Sequence, residues 1–239
     1  MKKLFLLITL VSMPAYASVG EHLDAVDIDM SDTASLQRGA GIFVNYCLSC
    51  HSAAFVRYNR VAEDLQIPED VVKDNMLFTA DRIGGLMEAT MSAEDAKKWF
   101  GTAPPDLSLI GRSRGPEWIY TYLRSFYLDD STPTGWNNVL FKSVAMPHVL
   151  YSLQGSRRAI FKKDENDMLA LDRFEMVKPG SLNEEEFDAV ARDLTNFLVY
   201  ISEPVQMIRY KLGVYVLIFL AIFLVFAYLL KKEYWKDVH

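Results

Sequence analysis

From Leu212 to Leu230 the chain reads LGVYVLIFLAIFLVFAYLL, nineteen residues without a charge. At about 1.5 Å per residue, a helix of that length crosses a hydrocarbon core of roughly 30 Å. A helix also lets one isolated segment satisfy its own backbone in lipid. The pattern predicts one spanning helix over 209–232. Arg209 and Lys211 stand at one end of it and Lys231, Lys232 and Lys236 at the other, a balance too even to orient the span by basic residues. The other terminus supplies the orientation. Met1-Lys2-Lys3, an apolar stretch from Leu4 to Met13 and Ala15-Tyr16-Ala17 follow the layout of a cleaved secretory leader. Its apolar stretch is well short of the about twenty residues that a span needs. The expectation is a signal peptide over 1–17, an exported domain over 18–208 in the periplasm, and a cytoplasmic tail over 233–239.

Between these ends lies enough chain for one well-buried domain and too little for two large ones. The full chain holds 25 basic and 31 acidic residues. Losing Lys2 and Lys3 with the leader makes the mature domain more acidic still, which argues against nucleic acid and suits either simple solubility or a basic or dipolar protein partner.

Only two cysteines occur, Cys47 and Cys50, and His51 follows them directly. C-x-x-C-H is the attachment signature of c-type haem. Each thiol can add across a vinyl group to give a thioether. Two intervening residues let one helical turn present both sulfurs to the ring, and the next residue is directed at the iron as an axial ligand. A bare C-x-x-C would be ambiguous between a redox dithiol, half a zinc site and a disulfide. A second cysteine pair is absent, so a four-cysteine site cannot be built from this chain alone, and no thioredoxin-like pattern surrounds the motif. Upstream, Gly39, Phe43 and Cys47 share one helical face at i, i+4 and i+8. The glycine permits close passage of a second helix, for which Asn183–Ile201 is the candidate. That stretch has Glu184, Glu185 and Glu186 in its first turn and Val190, Leu194, Phe197, Leu198 and Ile201 at helical spacing.

A low-spin carrier requires a second axial ligand, and methionine opposite histidine raises the potential. Met146, in Val144-Ala145-Met146-Pro147, follows the turn-rich Ser131–Gly135 stretch and has a stiffening proline beside it. His148 is the runner-up and would give a lower potential. Met87 and Met91, at helical spacing, read as ordinary packing. Arg112 and Arg114, with Arg124 on a predicted helix Trp118–Tyr127, are candidates for anionic propionates. Phe43, Leu107 and Val144 are expected as apolar walls.

Taken together, CLSCHSAAFVRYNR, APPDLSLIGRSRG, the VAMP loop, and a C-terminal span preceded by Glu203-Pro204 and followed by KKEYWKDV resemble the cytochrome c1 family. The chain looks most like the proteobacterial members. The resemblance implies the electron-transfer haem subunit of a ubiquinol–cytochrome c reductase (bc1) complex. Such a subunit takes an electron from the Rieske iron–sulfur protein and passes it to cytochrome c, beside cytochrome b and in a dimeric complex in the bacterial inner membrane. It also implies one covalent haem c with His51 and Met146 as iron ligands, a propionate contact at Arg114, and Pro105 against the ring. Mitochondrial relatives have longer loops after the methionine, so their docking surfaces do not transfer, and the charged stretch Arg157–Glu175 has no role assigned.

Nothing in the chain resembles a quinone site, so quinol chemistry would belong to partner chains. Two rival readings are a tethered c-type carrier serving a terminal oxidase and a haem enzyme or sensor with an open sixth site. The fold expectation is mainly α, with a cytochrome-c-like haem domain, long loops, a short hairpin near Ala159–Glu175 and one C-terminal transmembrane helix.

Overall fold

The computed structural model describes residues 23–163 and 169–237. The expected leader over 1–17 lies outside the described residues, as does the tip of the charged stretch. Helix α1 (Thr33–Ile42) starts at Asp32, whose side chain accepts the Ser35 N–H. It runs without a break into a π-helical turn, Phe43–Cys47, which delivers the cysteine motif.

The long helix near the C-terminus is α8 (Glu184–Ser202), one residue offset from the predicted Asn183–Ile201. Asn183 is its cap, in a capping box with Glu186. Helix α8 packs chiefly against α1, the single turn α5 (Ile110–Ser113) and α6 (Pro116–Arg124). At the α1 crossing, a side chain on Gly39 would stand 2.7 Å from Phe197 Cβ and collide with the Asp193 carbonyl. Only glycine allows the two backbones this close. The Phe43 and Phe197 rings then meet at 5.6 Å. A polar clasp lies beside them. Arg38 pairs with Asp193 at 2.5 Å, while the buried Ser35 hydroxyl donates to Asp193 and accepts from Asn196.

The remaining helices are α2 (Tyr58–Asp64), α3 (Glu69–Asn75), α4 (Ala93–Phe100) and α7 (Tyr151–Gln154). Among the described residues, three two-stranded antiparallel sheets complete the head: β1 (Ala53–Arg57) with β2 (Leu86–Met87), β3 (Phe126–Leu128) with β4 (Trp136–Asn138), and β5 (Gly155–Lys163) with β6 (Leu169–Pro179). The last pair extends the predicted hairpin at both ends.

Two local expectations fail. Met87 sits on β2 opposite Ala53 rather than on a helix with Met91, because the helix begins only at Ala93, after Ser92 caps it. Met87 is nonetheless fully buried, as packing required. The helix predicted to reach Tyr127 ends at Arg124, since Phe126–Leu128 pair with Trp136–Asn138 instead. Cross-strand pairing there replaces the last helical turn.

Helix α9 (Gln206–Tyr234) contains the whole uncharged run, and none of its residues is buried. A helix so apolar on every face, with no protein against it, has lipid as its natural environment. Its junction with the head is clasped by Glu203, which accepts from Arg209 at 2.7 Å and faces Arg112 at 3.6 Å.

Candidate haem site

The π-turn ends at Cys47, and the Cys50 and His51 N–H groups both return to the Cys47 carbonyl at 3.1 and 2.8 Å. This tight turn presents Cys47, Cys50 and His51 on the wall of one cavity of about 360 Å³. Burial pushes the Cys47 thiol up to about 12, with Cys50 adding to the effect. A thiol so reluctant to ionise is a poor exchange nucleophile, which disfavours the redox-dithiol reading.

The Pro-rich stretch Ala103–Ser108 forms the adjoining wall and is pinned by three bonds to the residues that follow the motif, with a fourth inside the stretch itself. Leu107 N–H donates to the Ser52 carbonyl at 2.7 Å, Asp106 accepts from Ala54 N–H and from Ser108 N–H, and Ser108 Oγ accepts from Phe55 N–H. That register sets the Pro105 carbonyl 2.8 Å from His51 Nδ1. A carbonyl can only accept, so Nδ1 carries the proton and Nε2 keeps its lone pair. Burial, partly opposed by the Pro105 bond and the Asp106 charge, lowers the His51 pKa and favours this neutral, metal-binding form.

Met146 reaches the same cavity on a loop braced by two asparagines of β4. Asn137 Oδ1 accepts from Ser143 N–H at 2.9 Å. The fully buried Asn138 accepts from Leu140 and Phe141 N–H and donates to the Tyr122 carbonyl at 2.8 Å. Val144, Ala145, Met146 and Pro147 all line the cavity, whereas His148 does not. Its ring is stacked on Phe126 at 5.0 Å and meets Trp136 edge-on, 2 % exposed. Burial, reinforced by the Arg157 charge, pushes its pKa down to about 4. The runner-up ligand is therefore a core residue.

The arginines separate just as sharply. Arg114 lines the cavity, with its guanidinium 4.8 Å over the Trp118 ring. Arg112 is turned to Glu203, and Arg124 is held by Asp188 and Asp24 at 2.6 Å each. Among the expected walls, Leu107 and Val144 line the cavity; Phe43 is committed to the α1–α8 contact with Phe197. Tyr46, Phe100, Trp118, Tyr122 and Phe141 also line the cavity and were not singled out in the sequence. The spacing of Arg114, Trp118 and Tyr122, four apart from each to the next, was the available signal for part of that set.

Two thiols, an imidazole with a free Nε2 and a thioether, within walls that are mostly apolar, are a donor set suited to an iron porphyrin. Among the described residues no cluster of three histidine, cysteine or acidic side chains offers a rival metal site. The family model described as Cytochrome C1 family matches residues 26–238. The chain is 49% identical to cytochrome c1 of Allochromatium vinosum, with 100% of both chains covered.

The chain belongs to the cytochrome c1 family.

It is also 46% identical to a Nitrosomonas europaea protein named ammonia monooxygenase gamma subunit, over 100% of this chain and 98% of that one. Cytochrome c1 of Rhodospirillum rubrum is more distant, at 27% identity over 87% of this chain and 83% of its own. Membership in the cytochrome c1 family makes this chain an electron-transfer haem subunit of the bc1 complex, to which cytochrome b and the Rieske protein also belong. It brings a c-type haem, and helix α9 fits a single-pass protein of the inner membrane.

Proposed function

We propose that one haem is attached covalently through Cys47 and Cys50, with His51 Nε2 and Met146 Sδ as the axial ligands. The observation that carries this reading is the meeting of all four side chains on one cavity, with the His51 proton directed away from it onto Pro105. When bound, the group supplies a ferric–ferrous couple whose two strong-field ligands keep it low-spin in both states. The chain's own residues hold and tune it. Pro105 fixes the imidazole tautomer and would lie against the ring, Arg114 would hold a propionate, and the Ala103–Leu107 and Val144–Pro147 walls would exclude water and so favour the less charged ferrous state.

In this reading the electron arrives from the Rieske cluster and leaves to a cytochrome c. The leader 1–17 is removed, residues 18–208 stand in the periplasm, 209–232 span the membrane, and 233–239 remain in the cytoplasm, within a dimeric complex. No quinol site is assigned to this chain.

A second reading draws on the Nitrosomonas europaea relative, whose name associates it with a monooxygenase. One purification distinguishes them. The tagged chain is extracted from membranes in mild detergent, its thioethers are counted by mass spectrometry, and reduced-minus-oxidised spectra are recorded. One c-type haem per chain, reduced by quinol in company with b-type haem and a Rieske signal, supports the bc1 assignment. A c haem that accompanies monooxygenase or oxidase subunits instead would transfer the site to another pathway.

A further inference from the structure

Tyr122 donates its hydroxyl to Met146 Sδ at 3.3 Å, the one hydrogen bond that hydroxyl makes among the described residues. We infer that Tyr122 is a positioning and tuning residue for the methionine ligand: its hydrogen bond orients the sulfur and holds the haem potential up. This rests on the reading of Met146 as an iron ligand.

A thioether sulfur has two lone pairs. If a donor occupies one, the other is left with a defined direction, and rotation of the Met146 methyl group about the sulfur no longer presents two equivalent faces to the cavity. The donor is itself fixed. The Tyr122 ring is stacked on Trp118 at 4.9 Å with 11° between planes, and is met edge-on by Phe126 at 5.1 Å. Trp118 in turn carries the Arg114 guanidinium, while the Tyr122 carbonyl accepts from Asn138, which also braces the methionine loop. The same α6 residue thus grips the loop by its backbone and its ligand atom by its side chain. A hydrogen bond to sulfur withdraws electron density from it. Ferric iron depends more on that density than ferrous iron does, so the bond disfavours the oxidised state and raises the potential. A neutral hydrogen bond corresponds to about fivefold in such an equilibrium.

The test uses the purified, membrane-extracted complex carrying the full chain. Y122F keeps the stacked ring and removes the donor. It should retain the c-type haem and the near-infrared methionine–iron charge-transfer band, move that band, and lower the ferrous-to-ferric ratio about fivefold at a fixed poise. Replacing Tyr122 by its ring-fluorinated analogue, a stronger donor of nearly equal shape, should move the ratio the other way. Y120F, whose ring lies under Arg124 rather than in the cavity, serves as the control and should match the wild type. A Y122F protein with its haem, its band and its potential all unchanged overturns the inference. If Y122F assembles poorly, an unmoved potential in the fluorinated protein does the same. A methionine–iron charge-transfer band that survives in M146A overturns the ligand reading itself, and the inference with it.

Discussion

Single residues near the cavity divide by where their polar atoms point. Met146 and His148 are two positions apart, yet one lines the cavity and the other is sealed between Phe126 and Trp136. Met146→Ala should therefore open the sixth position: the ferrous haem will bind carbon monoxide and the methionine–iron band will vanish. His148→Ala should leave both properties intact while destabilising the fold by about 2–4 kcal/mol through the lost aromatic packing, which denaturant titration of the haem absorbance would report. Carbon monoxide binding in the histidine variant and not in the methionine variant would reverse the ligand assignment. At this scale the C-x-x-C-H motif was legible in the sequence, because the spacing of Cys47, Cys50 and His51 is local, whereas the Pro105 carbonyl on His51 was not. Choosing among arginines was beyond it. Arg112 and Arg124 are drawn from the cavity by the distant partners Glu203 and Asp188, which no local pattern announces, whereas Arg114 rests on the nearby Trp118.

At the scale of elements, the crossing of α1 and α8 carries the site, because the cysteine turn is the direct continuation of α1. Gly39→Ala should cost about 1–3 kcal/mol by forcing the helices apart, and lower the yield of haem-loaded protein more than it alters the spectrum of what folds. Asp193→Ala tests the clasp beside it. The exposed Arg38 end returns to water at little cost, but the Ser35 hydroxyl loses its buried acceptor, so about 1–3 kcal/mol is expected, measurable as a lower unfolding midpoint. Helix α8 was legible as a periodic apolar stripe with acids in its first turn, whereas of Gly39, Phe43 and Cys47, read on one helical face, only Gly39 lies on α1 and the other two fall in the π-helical turn that continues it. Less legible were the short elements. The two residues of β2 and the three each of β3 and β4 have no periodicity of their own, and exist because a partner strand arrives from elsewhere in the chain.

For the whole molecule, the decisive contrast is between a head that buries its core and a C-terminal helix that buries nothing. No residue of α9 is buried, so a stop codon after Gln206 should release a soluble domain with its haem spectrum intact. The same truncation should abolish reduction by quinol in membranes, since the domain would no longer be held beside its donor. An insoluble or haem-free truncated head would show that α9 contributes to folding and not to anchoring alone. The Glu203 clasp onto Arg112 and Arg209 joins the two parts, and its loss should leave the truncated head unaffected.

The amino-acid sequence by itself determined whatever depends on neighbours along the chain: the span, whose length and lack of charge suffice in lipid; the C-x-x-C-H turn; and the amphipathic helix α8. Tertiary structure decided whatever depends on approach between distant segments. It placed the Pro105 carbonyl on His51, brought Met146 rather than His148 to the cavity, and set the Tyr122 hydroxyl on the methionine sulfur. The physical reason is range. A covalent motif or a helical period is complete within a few residues, whereas a ligand's partner, tautomer or hydrogen bond is fixed only when the folded chain closes around it.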